Sequence, residues 1–204
     1  NEAFKNGVPF FGRTYVNTEL KDYILSFGFL VIAILSPVLS SIADYKGNKK
    51  NFMRFFCYLG AVSCCLMYYF DAEHVNLGLM CFMFAGIGFY GSQVFYNSYL
   101  PDISAEKDMD RISAKGYSMG YIGSVIMQMI GFALVMMMPE GAMPLKITFL
   151  LVGIWWVGFA QITFNVLPIS PKSVRHAKTH VLKNGFLELK KVWLQLVHMP
   201  VLKR

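Results

Sequence analysis

Between positions 40 and 50 the chain reads Ser40-Ser41-Ile42-Ala43-Asp44-Tyr45-Lys46-Gly47-Asn48-Lys49-Lys50, one carboxylate set among three lysines around a Gly-Asn reversal. Gly and Asn tolerate the backbone of a tight turn, so Asp44, Gly47, Lys49 and Lys50 are placed to pair charges across a short connection. Asp110 and Arg111 offer a second acid–base couple that could join them. Hydrogen-bonding side chains form another pattern. Gly86, Tyr90, Gln93 and Asn97 stand at i, i+4, i+7 and i+11, one stripe of an α-helix, and Gln128 adds an amide further on. Neither pattern sets a nucleophile beside a base or gathers metal ligands. The histidines (His74, His176, His180, His198) fall outside the long apolar runs. The cysteines (Cys57, Cys64, Cys65, Cys81) fall inside them, without metal-ligand spacing. No metal, no cofactor and no catalytic residue is therefore expected. The chemistry on offer is ion pairing and hydrogen bonding.

The elements that must hold these residues are apolar. Of the 204 residues, 55% are hydrophobic and only 15% charged, against about a quarter charged in an ordinary soluble domain. Charge is missing from five stretches long enough to cross a hydrocarbon layer of roughly 30 Å, which takes about 20 residues per helix. The expected spans are residues 23–43, 52–70, 75–101, 116–139 and 147–170, the second reaching full length once Arg54 snorkels from its end. Read as uncharged runs, they contain no Asp, Glu, His, Lys or Arg, groups that an embedded hydrolase or oxidoreductase would have to carry inside. The fold class is thus an all-α membrane protein, with residues 23–171 a five-helix transmembrane bundle. Residues 1–22, broken by Gly7, Pro9, Gly12 and Asn17, are expected to form a loop. Pro37 should kink the first span. Gly116, Gly120, Gly123 and Gly131 form a small-residue stripe suited to close helix packing.

Lys and Arg set the orientation. Residues 44–54, 102–115 and 172–204 fall on one side and carry 15 of them, whereas residues 1–22, 71–74 and 140–146 on the other carry 4. The positive-inside rule makes the first side cytoplasmic and residues 1–22 an extracytoplasmic loop. The net charge of +7 equals that of residues 172–204 alone, which points to a membrane surface rather than to nucleic acid. That tail is expected to be a central cytoplasmic loop with an amphipathic helix. Leu182, Phe186, Leu189, Trp193 and Leu196 recur at helical spacing, with Lys183, Lys190 and Lys191 between them. An earlier span is expected to deliver residues 1–22 across the membrane.

The loop at 40–50 resembles the turn between the second and third helices of the major facilitator superfamily, Gly-x-x-x-Asp-(Arg/Lys)-x-Gly-(Arg/Lys)-(Arg/Lys). Asp44, Gly47 and Lys49 match it, whereas Ser40, Tyr45 and Asn48 depart from it. Further segments are similar to one branch, the vacuole-effluxer-like family of fungal autophagy-related vacuolar amino-acid effluxers and many bacterial membrane proteins. They are Phe56-Cys57-Tyr58-Leu59-Gly60-Ala61, Gly86-Ile87-Gly88-Phe89, Phe95-Tyr96-Asn97-Ser98-Tyr99-Leu100-Pro101, Asp110-Arg111-Ile112-Ser113-Ala114-Lys115-Gly116 and Met119-Gly120-Tyr121-Ile122-Gly123. The resemblance implies a twelve-helix transporter of which this chain holds helices two to six and part of the central loop. The first helix and the C-terminal half would then be its partners, beside the bilayer and a small-molecule substrate. A bacterial inner membrane is the expected setting.

On that reading Tyr90, Gln93, Asn97 and Gln128 line a solute cavity. Asp44, Gly47, Lys49, Lys50, Asp110 and Arg111 form a loop that switches with conformation, and the glycine stripe packs helices. The expected function is secondary transport of a small polar solute, amino acids among them, by alternating access. The rival is a non-transporting membrane scaffold or assembly factor that docks through the bundle and the basic tail. Uptake by the full-length protein separates the two.

Overall fold

The computed structural model describes residues 8–10, 13–15, 17–46, 48–71, 74–139, 141–168 and 194. Gly47, the Asp44 side chain and the amphipathic helix expected at 172–204 lie outside the described residues, Leu194 apart. The chain is an all-α membrane fold prefixed by a small antiparallel hairpin, β1 (Val8–Phe10) and β2 (Arg13–Tyr15), with Val8 opposite Tyr15. The helices are α1 (Asn17–Lys46), α2 (Lys49–Leu66), α3 (Val75–Ser98), the single turn α4 (Leu100–Ile103), α5 (Met109–Met137) and α6 (Met143–Val166). All but α4 are long and apolar enough to cross a membrane, α2 doing so with the 3-10 turn Met67–Tyr69 that continues it.

Two helices begin well ahead of the spans expected within them. α1 starts at Asn17, before the span expected from 23, and α5 at Met109, before the one expected from 116. A helix of 30 residues is about 45 Å long, well beyond a hydrocarbon layer of roughly 30 Å, so its ends project into water and carry charge freely. Glu19 in the first turn of α1 also complements the positive helix N-terminus. The described part of residues 1–22 is a hairpin and a helix start. α1 continues through Pro37.

Four helices form the tight core. α3 packs most broadly on α2, α2 also packs on α6, and α1 lies along α3. The contacts need glycine where backbones meet. A Cβ on Gly88 would overlap the Gly60 backbone, and one on Gly153 would overlap Cys65 and the Ala61 carbonyl. Trp156 fills the space over Gly60 and Phe56 the space over Gly91. With no hydrophobic drive between helices in lipid, such close van der Waals contact is the main cohesion. The Tyr58–Gln161 hydrogen bonds (3.1 and 3.2 Å) add polar glue between α2 and α6. Phe95, Tyr99 and Phe164 are almost completely buried, with Phe95 stacked on Phe52 and Phe56. α5 is the exception. It packs on α6, and Met127 is its one buried residue. The turn between them passes through Gly141 at φ 81°, a left-handed backbone that favours glycine.

Candidate functional site

The Lys/Arg-rich end of the bundle is clasped by the first turn of α2. Lys49 and Lys50 sit where the helix macrodipole is positive, a locally unfavourable place for a cation, and no acidic residue in that turn offsets them. Both reach sideways to the negative ends of neighbouring helices. Lys49 Nζ donates to the carbonyl of Ser98, the last residue of α3 (3.3 Å), and lies 3.2 Å from Asp102 Oδ2. Lys50 Nζ donates to the carbonyl of Leu167, just past α6 (2.8 Å). The Lys49 and Asp102 side chains are only 14% and 29% exposed, so water screens this pair less than a surface one. Close by, Tyr99 donates to the Pro168 carbonyl (3.4 Å), and the Arg54 guanidinium lies 5.3 Å from the Phe164 ring centroid.

Arg111 pairs with Asp108 three residues before it (3.1 Å), and Asp110 is exposed. Among the described residues Lys49 meets Asp102, which sequence reasoning passed over. A signal was available: α2 and α3 form an antiparallel hairpin, and Lys49 and Ser98 lie nearly equidistant from its turn, so the first acid after α3 returns beside Lys49.

The polar stripe of α3 is divided by its neighbours. Gly86 lies near Leu25, and Tyr90 packs on Phe29 of α1 (centroids 4.5 Å apart), so these two serve the α1–α3 contact. On the other flank Phe89 meets Trp156 of α6 (6.1 Å) and the Tyr96 hydroxyl lies over Gly116 of α5. Gln93 falls in the arc between these flanks and is half-buried, whereas Asn97 lies in line with Gly86 and Tyr90 and is exposed. Gln128 stands exposed on α5 and is not brought into the α1–α3 contact. The glycines of α5 behave unequally. Gly131 faces Thr148, Gly123 lies loosely by Trp155, and Gly120 has nothing within 4 Å. An open cavity of about 850 Å³ lies between the opposite ends of α1 and α3. Leu20, Ile24, Phe27, Leu79, Met80 and Met83 make its walls apolar, with Tyr15, Tyr23 and Asn76 beside them, and none of the stripe residues lines it. Among the described residues no group of three or more His, Cys, Asp or Glu could hold a metal ion.

Five apolar helices with uncharged interiors, a basic clasp at one end and amides in an open arc define a polytopic membrane protein of the transporter class. The chain belongs to the vacuole effluxer Atg22-like family, whose model matches residues 2–203. It is 34% identical over 146 residues to a Bacillus subtilis (strain 168) protein named as an uncharacterized MFS-type transporter, YxiO, covering 69% of this chain and 34% of that protein. It is 24% identical over 241 residues to autophagy-related protein 22-2 of Aspergillus oryzae, covering 86% of this chain and 39% of that one. The chain thus spans little more than a third of the length of these relatives. No solved structure matches it.

Proposed function

We propose that the full-length protein is a secondary transporter that moves a small polar solute across a membrane by alternating access, with amino acids as the solute class. The setting proposed is a bacterial inner membrane, the clasped end facing the cytoplasm. The observation that carries the proposal is the open arc of α3. Gln93 and Asn97 are carboxamides, able to donate and to accept, Gln93 at an arc left free by α1 on one flank and by α5 and α6 on the other, and Asn97 exposed one turn further on. Hydrocarbon gives such groups no partner, whereas a passing polar solute does. Membership of a family described as vacuole effluxers supports transport over a scaffold role. The basic clasp supports alternating access by keeping α2, α3 and α6 together as one moving unit. Uptake of a radiolabelled amino-acid mixture into proteoliposomes of the full-length protein tests it. Gln93→Leu and Asn97→Leu should each lower uptake roughly tenfold, a lost hydrogen bond in hydrocarbon being worth about 1–2 kcal/mol, with the reconstituted amount unchanged. Uptake absent from the unsubstituted protein, or intact in both variants, overturns the proposal.

A further inference from the structure

Three contacts run in register along the seam between α2 and α6. Lys50 Nζ donates to the Leu167 carbonyl (2.8 Å), the Arg54 guanidinium lies over the Phe164 ring, and Tyr58 and Gln161 exchange hydrogen bonds (3.2 and 3.1 Å). Positions 50, 54 and 58 advance by four along α2 while 167, 164 and 161 retreat by three along α6, so the rungs share one face of each helix. The first and last rungs are closed by hydrogen bonds. The middle one is not. A guanidinium presents five N–H donors in a planar fork, and among the described residues half-buried Arg54 has the Phe164 ring and no hydrogen-bond or ion-pair partner. The ring face attracts the cation but leaves the edge of the fork without an acceptor.

Neither helix supplies an anion. α2 and α6 contain no Asp or Glu, and Asp102, the acid that reaches α2, is bonded to Lys49. Lys50 uses one of its three donors on Leu167, so the seam ends in two cations with donors to offer. Depth selects what they meet. α2 with its 3-10 turn has 21 residues, roughly 32 Å of helix, close to a hydrocarbon thickness of roughly 30 Å. Lys50 therefore stands at one membrane boundary, and Arg54 starts about 6 Å below it. A cationic side chain at that depth snorkels outward, into the layer that holds phospholipid phosphates. The flanks of the seam suit acyl chains: Phe55 and Val62 on α2 and Ile162 and Val166 on α6 are each more than half exposed.

We infer that the α2–α6 seam binds one anionic phospholipid from the leaflet on the Lys/Arg-rich side, its phosphate held by the Arg54 fork with Lys50 beside it. Arg matches phosphate oxygens two at a time, and two cations without an anion favour a headgroup of net negative charge over a zwitterionic one. The inference stands apart from the transport reading, so either can fail alone. The probe is phosphatidylglycerol with a photoreactive diazirine near the top of one acyl chain, added to the purified full-length protein in detergent. Peptide mass spectrometry should place its cross-links within residues 52–62 and 159–167. Unlabelled phosphatidylglycerol should compete at least fivefold better than phosphatidylethanolamine, and inorganic phosphate should not compete, because the chains belong to the ligand. Arg54→Gln should cut cross-linking in these segments at least fivefold and Arg54→Lys, which keeps the charge and loses the fork, by less. Lys146→Gln, at the opposite end of α6, should leave it unchanged. Should Arg54→Gln fail to fold, the position of the cross-links and the competition in the unsubstituted protein decide the matter. Cross-links confined to other segments, equal competition by phosphatidylethanolamine, or full cross-linking in a folded Arg54→Gln overturns the site. Displacement by inorganic phosphate alone overturns the lipid as its ligand.

Discussion

At the scale of single residues, Lys49 and Lys50 stand at a helix N-terminus that repels them, and the clasp explains their presence. They serve the C-terminal carbonyls of α3 and α6 rather than their own helix. Because the Lys49–Asp102 pair is largely shielded, its loss should cost more than the few tenths of a kcal/mol typical of exposed pairs. A double-mutant cycle with Lys49→Met and Asp102→Asn, read by thermal unfolding of the purified full-length protein, should give a coupling energy of about 1 kcal/mol or more. Strict additivity would show that the two charges stand near each other without consequence. Asp102 was missed in sequence because a short Tyr-Leu-Pro-Asp segment has no pattern of its own. Its meaning comes from the hairpin that returns it to Lys49, a relation between elements rather than a local motif.

At the scale of elements, two glycines of similar appearance in sequence have opposite physical settings. A Cβ at Gly88 would meet the backbone of Gly60, which cannot rotate away, whereas Gly120 faces open space. Gly88→Ala should therefore force α2 and α3 apart and destabilise the protein by about 1–3 kcal/mol, the usual cost of overpacking. Gly120→Ala should be neutral or add up to about 1 kcal/mol through helix propensity. Differential thermal unfolding of the two variants checks both, and equal effects would mean that the α2–α3 crossing is not tight. This contrast marks how far the sequence was legible. Five spans were readable because uncharged runs of membrane length need no partner to be recognised. The helix ends were not, because Glu19, Lys21 and Asp22 read as loop residues although a helix carries charge freely once it leaves the hydrocarbon. Tyr90 could be placed on a stripe but not assigned to the α1 contact, since spacing gives a face and not what covers it.

At the scale of the whole molecule, sidedness comes first. Cysteines placed at Asn17, Asn76 and Gly141 should react with an impermeant thiol reagent from outside intact cells, and those at Asn48, Ser104 and Ser173 should not. Labelling of Asn48 from outside would invert the bundle. The second question, on the proposed alternating-access reading, is which contacts change between the two states. A contact shifts a two-state equilibrium only by the difference in its energy between the states. Lys49 and Asp102 join α2 to the end of α3, and those helices are already locked where Gly60 meets Gly88. On the proposed alternating-access reading the pair should therefore persist in both states and stiffen the moving unit without biasing it. Asp44 is different in position. It lies in the last turn of α1, where the macrodipole is negative and a carboxylate is unfavourable without a positive partner. If that partner lies in the part of the protein beyond this bundle, the contact exists only while the cytoplasmic side is closed. Asp44→Asn, nearly isosteric, should then leave folding intact, populate the cytoplasm-open state and slow turnover. Lys49→Met should lower the unfolding temperature and leave the populations where they were. Both are read by the rate at which a cysteine at Asn97 reacts from the cytoplasmic side, expected to rise several-fold in Asp44→Asn and to stay constant in Lys49→Met. A rise in Lys49→Met instead would make the clasp the switch, and no change in Asp44→Asn, with transport intact, would reduce Asp44 to a charged turn residue.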